Sequence, residues 1–78
     1  MMAHVRYFAA AEELAGRAEE HRTETTVGEL RHALAEERPG LGGILPRCAV
    51  LVAGARRDDD APLDADTLVD VLPPFAGG

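Results

Sequence analysis

At 78 residues, with 46% hydrophobic and 28% charged residues, the chain has globular composition and lies near the lower size at which one hydrophobic core sustains a domain. Its formal charge is −6 and its eight basic residues, all arginine, are scattered; this disfavours nucleic acid as a partner and favours a protein with a basic surface. Ser, Asn, Gln, Lys and Trp are absent, so a serine nucleophile, a Schiff-base lysine and a Gly-Lys-Ser/Thr phosphate loop are excluded.

The residues 1–78 are expected to form a single domain. From His4 to Phe8 the pattern alternates, with Val5 and Tyr7 on one face and His4, Arg6 and Phe8 on the other, as in a half-buried strand. Ala9 to Ala15 is rich in helix formers and stops at Gly16, which predicts a short helix. Glu19 to Thr25 reads as an exposed strand returning beside the first.

Thr26 followed by Glu29 has the spacing of a capping box, and Val27, Leu30 and Leu34 then share one helical stripe. This main helix is expected to end at Arg38, because the residue before Pro39 is pushed out of the α region. The Gly-rich stretch from Pro39 to Gly43 is expected to be a loop, with Leu41, Ile44 and Leu45 packing under the helix end.

Arg47 to Ala53 is an aliphatic run bounded by Pro46 and Gly54. It predicts a central strand buried on both faces. Cys48, the sole cysteine, is expected to be a small apolar strand residue, since no disulfide or cysteine metal cluster is possible with one thiol. His4, His21 and His32 match no ligand spacing, and Asp58-Asp59-Asp60 lacks the pattern of a cation loop, so both sets are expected to be surface groups.

Leu68 to Leu72 predicts the last strand, with Val69 and Val71 inward and Leu68, Asp70 and Leu72 outward. Pro73-Pro74 then ends any ladder, so residues 73–78 are expected to project as a tail. No apolar run is long enough to span a membrane and no basic segment leads into a signal-like stretch, which predicts a soluble, cytoplasmic protein. The whole pattern is α+β, a mixed sheet on one main helix, with a ubiquitin-like β-grasp as the best candidate.

The tail carries the chemistry. Without Cβ atoms, Gly77 and Gly78 can thread a narrow channel and bring the terminal carboxylate to another protein's active site. That ionised carboxylate is a competent nucleophile toward the α-phosphorus of ATP, and a sulfur donor that then displaces AMP leaves a thiocarboxylate.

Four segments carry a family resemblance. Val5-Arg6-Tyr7-Phe8-Ala9-Ala10-Ala11-Glu12-Glu13-Leu14-Ala15-Gly16, Thr26-Val27-Gly28-Glu29-Leu30, Pro62-Leu63 and Leu72-Pro73-Pro74-Phe75-Ala76-Gly77-Gly78 resemble the opening, main-helix start, pre-strand turn and ending of the MoaD/ThiS ubiquitin-like sulfur carriers. Within that family the chain is most similar to the small, sulfur-carrier subunits of molybdopterin synthase. Two segments depart from the usual pattern: Val52-Ala53-Gly54 where the family often has Val-Asn-Gly, and Asp66-Thr67 in place of Gly-Asp before the last strand.

The resemblance implies that an E1-like adenylyltransferase activates Gly78 with ATP and a sulfurtransferase supplies the sulfur. The synthase large subunit would then take the tail, formed by Phe75, Ala76, Gly77 and Gly78, and pass the sulfur to cyclic pyranopterin monophosphate in molybdenum cofactor synthesis. The chain itself would bind no cofactor and supply no catalytic acid, base or metal ligand; ATP belongs to the activating partner. Phe8, Leu72 and Phe75 are expected to form an apolar patch for the large subunit. Other classes remain open on the residues alone: a carrier for thiamine, cysteine or thio-metabolite synthesis, a β-grasp docking module with an idle tail, or a modifier joined through Gly78 to lysines of other proteins.

Overall fold

The computed structural model describes residues 2–74. Nine elements follow in order: β1 (Ala3–Tyr7), α1 (Ala10–Ala15), β2 (Glu19–Arg22), α2 (Val27–Glu37), α3 (Pro39–Ile44), a 3-10 turn (Leu45–Arg47), β3 (Ala49–Val52), β4 (Ala55–Arg56) and β5 (Leu68–Leu72). The five strands form one sheet in the order β2-β1-β5-β3-β4. β1 and β5 run parallel at its centre, and the other pairs are antiparallel. This mixed sheet, packed on one face by α2, is the ubiquitin-like β-grasp.

Local chemistry explains the helix boundaries. Gly16 terminates α1 in the left-handed conformation, at φ 77°, where only glycine is free of a Cβ penalty. At the start of α2 the Thr26 hydroxyl accepts a hydrogen bond from the Glu29 N–H at 3.1 Å. The Glu29 carboxylate reaches one residue past the cap, accepting from the N–H and the hydroxyl of Thr25. The capping box therefore closes on Thr25 as well as Thr26.

α2 lays Val27, Leu30 and Leu34 against Val5, Tyr7, Val69 and Val71, and all seven are buried. This is the core that the alternation in β1 and β5 predicts.

Three expectations need correction. The segment after Arg38 is a short helix and a 3-10 turn rather than a loop. Pro39 at its first turn starts the helix, and Gly42 lets it lie on α2, since a Cβ there would stand 2.9 Å from Ala35. Leu41 and Leu45 are buried as expected, and Ile44 packs against the core.

The segment 47–53 is a shorter strand, β3, whose residues alternate: Val50 and Val52 are buried while Ala49 and Leu51 are half-buried. Helices cover only one side of the sheet, so a strand buried on both faces has no place. Cys48 precedes the strand and is buried.

β2 stops at Arg22, and its inward residues are not exposed. Glu20 and Arg22 face the helix layer, their side chains 9% and 12% exposed, inside a polar network. Glu20 accepts a hydrogen bond from the Tyr7 hydroxyl and one from Arg38 at 3.2 Å. Arg22 donates to Glu24 and Glu37. Burial and the neighbouring Glu20 push the Tyr7 hydroxyl well above its usual range, so it stays a donor.

Candidate functional site

The sheet face opposite the helices is built by register. β2 contributes Glu19 and His21, β1 His4 and Arg6, β5 Leu68, Asp70 and Leu72, and β3 Ala49 and Leu51; all are half-buried or exposed. At its centre Arg6 and Asp70 face each other across the parallel β1/β5 pair. The guanidinium donates two hydrogen bonds to the carboxylate, at 2.7 and 2.9 Å. Asp70 in turn holds the Arg6 guanidinium above its ordinary value.

Arg6 also lies over the Phe8 ring, 5.5 Å from its centroid, a cation–π distance. Phe8 is 37% exposed. It stands one step beyond the Tyr7–Val71 pair of β1 and β5, and its N–H donates to the Val71 carbonyl at 3.2 Å. Leu72 pairs across to Ala49. Phe8, Leu72 and Ala49 thus form an apolar row at the end of the sheet where the chain leaves through half-buried Pro73 and exposed Pro74.

The structure brings together two of the three expected docking residues, Phe8 and Leu72. The third, Phe75, and the tail residues Ala76, Gly77 and Gly78 lie outside the described residues.

Two features of this face were not found from the sequence. Arg6 and Asp70 are 64 positions apart, and their pairing depends on parallel register. His4 and His21 oppose each other on β1 and β2, with rings stacked at 4.8 Å and His4 Nε2 2.5 Å from Glu19. Alternation in β1 places His4 outward, but only pairing makes the two histidines neighbours. Among the described residues, no group of three or more His, Cys, Asp or Glu side chains is arranged to hold a metal ion, and no helix is long and apolar enough to cross a membrane. Asp58, Asp59 and Asp60 are all exposed as expected, and Asp59 in addition approaches Arg31 at 3.4 Å and its carbonyl accepts from the Gly28 N–H.

The ThiS family model matches residues 5–78, which takes in the Gly77-Gly78 ending. No curated protein sequence matches the chain. Among solved structures, the Haloferax volcanii HVO 2177 protein is 33% identical, covers 100% of this chain and 87% of its own, and superposes with a TM-score of 0.81. A Helicobacter pylori structure described as a complex of subunits 1 and 2 of molybdopterin-converting factor has a chain 29% identical, with 100% of both chains covered and a TM-score of 0.73. The small archaeal modifier protein 1 of Methanosarcina acetivorans shares the fold at 20% identity, with 100% and 99% coverage and a TM-score of 0.85.

Proposed function

Since this chain belongs to the ThiS family of sulfur carriers, we propose that it carries sulfur on the carboxylate of Gly78, as the small subunit of a molybdopterin synthase. The observation that carries the reading is the family match over the whole fold and through the terminal glycines. The Helicobacter pylori complex, whose matched chain shares 29% of its residues with this one, supports a large-subunit partner.

In this reading one carboxylate oxygen of Gly78 attacks the α-phosphorus of ATP on an E1-like adenylyltransferase. Pyrophosphate leaves and an acyl-adenylate forms. Sulfur delivered by a sulfurtransferase at the hydrosulfide level displaces AMP, leaving a thiocarboxylate. The large subunit then receives the tail, and the sulfur passes to cyclic pyranopterin monophosphate.

This chain's own residues present and dock. β5 leads directly into Pro73-Pro74, which removes ladder donors and stiffens the exit, while Phe8 and Leu72 offer the apolar row beside it. The activating chemistry resides in the partners.

The test is intact mass after incubation with an E1-like enzyme, ATP and a sulfide source. The expected gain is the exchange of one oxygen for sulfur, confined to the C-terminal fragment. An unchanged mass beside a verified active E1-like enzyme would overturn the reading. Isopeptide adducts between Gly78 and lysines of other proteins in cell extract, without sulfur loading, would favour the modifier function instead. Having no lysine, the chain cannot build lysine-linked chains of itself.

A further inference from the structure

On the helix side of the sheet, away from the face that bears Phe8 and Leu72, the surface forms a pocket of about 400 Å3 between α2 and the β3–β4 hairpin. That is within the size range of small-molecule sites, roughly 300–1,000 Å3. Three arginines line it: Arg31 from α2, Arg56 from β4, and Arg57 just beyond. Such a cluster is unexpected in a chain of formal charge −6, where acidic partners are abundant.

Arg6, Arg17, Arg22, Arg31 and Arg38 each have a carboxylate within ion-pair distance. Among the described residues, Arg47, Arg56 and Arg57 make no ion pair, and of these Arg56 and Arg57 line the pocket. Yet the backbone that carries them is fixed. Arg56 pairs with Leu51 in the hairpin, and the Arg57 N–H donates to the Val50 carbonyl at 3.3 Å. Arg31 is held at the pocket by the Leu45 carbonyl at 3.2 Å and Asp59 at 3.4 Å.

The remaining lining narrows the ligand. Pro46, Cys48 and Val50 also border the pocket, but Cys48 and Val50 are buried, so its surface is mainly polar; burial keeps the Cys48 thiol neutral, so it adds no repulsive charge. Asp58 and Asp59 also line the pocket. Two carboxylates oppose a polyanion but accept hydrogen bonds from hydroxyls. Guanidinium forks match the oxygens of a phosphoryl group better than any other common anion binder.

We infer that Arg31, Arg56 and Arg57 form a binding site for a single phosphoryl group, either free phosphate or the phosphate monoester of a hydroxylated compound. This goes beyond sulfur carriage and does not depend on it.

The experiment is amide chemical-shift titration of the full chain, at constant ionic strength, with inorganic phosphate, ribose 5-phosphate, AMP and sodium chloride. Saturable shifts centred on Val50, Arg56 and Arg57 are expected with at least one phosphate and none with chloride. The Arg56→Ala/Arg57→Ala double variant is expected to weaken binding at least tenfold, and Arg31→Gln to weaken it independently. Arg47→Ala, which removes an arginine outside the pocket, is expected to change nothing. Tighter binding of the esters assigns a phosphate monoester as the ligand, whereas equal affinity assigns free phosphate. Linear shifts, shifts reproduced by chloride, or unchanged affinity in a folded double variant would overturn the inference.

Discussion

Replacing Phe8 with alanine separates docking from folding. Phe8 is 37% exposed; for a phenylalanine of roughly 200 Å2 that leaves about 75 Å2 free to be covered by a partner. At about 25 cal/mol per Å2 this is about 2 kcal/mol of binding, or roughly twentyfold in Kd for the large subunit. The covered part of the ring and its stacking with Arg6 at 5.5 Å contribute to the fold, so the variant is also expected to lose about 1–2 kcal/mol of stability, a Tm decrease of roughly 5–15 °C. Calorimetric titration below that Tm isolates the affinity. Leu14 on α1 is the control, because it is 40% exposed but does not belong to the open sheet face. Leu14→Ala is expected to leave Kd unchanged. If Phe8→Ala changes Kd less than threefold, or if Leu14→Ala costs as much, the open face is not the docking surface.

The β3–β4 turn offers a stabilising change. Ala53 and Gly54 both have positive φ, 52° and 85°, as in a two-residue hairpin turn, and a left-handed alanine costs about 1 kcal/mol. Ala53→Asn is expected to raise Tm by roughly 4 °C in a thermal melt, and a decrease would refute the turn assignment. Hydrogen bonds from Arg22 hold the Glu37 carboxyl below its ordinary value. A depressed folded-state pKa stabilises above the usual glutamate range of about 4.3 and loses that stabilisation as pH falls through the depressed value. Urea unfolding from pH 6 to pH 3 is therefore expected to show a shallower acid loss in Glu37→Gln, modest because the side chain is 46% exposed; an identical profile would show that the pair contributes nothing. Finally, any residue appended after Gly78 is expected to abolish sulfur loading with Tm unchanged, and normal loading of an uncleaved C-terminal tag would contradict the role given to the carboxylate.

Local signals in the chain determined the elements whose causes lie within one turn or one strand. The Thr26 cap with Glu29, the stop at Gly16 and the alternation of Val5, Tyr7, Val69 and Val71 depend on neighbours at most four residues away, and each appears in the structure as the pattern predicts. The family was legible for the same reason: its segments, including the ending, are contiguous. Tertiary structure decided what depends on long-range register. The terminal strands pair parallel at the centre of the sheet, and only that pairing joins Arg6 to Asp70 and sets Phe8 beside Leu72. The glycine-rich segment after Arg38 became a helix because α2 offered a surface that small residues fit closely, a gain that propensity alone opposes. β3 lost burial on one face because the helices pack on one side only, and half of β2 was drawn into the Glu20–Arg22 network by α2 and Arg38. Sequence period states that two faces of a strand differ; which face meets the helix, and which remains free for a partner, follows from packing the whole chain around one core.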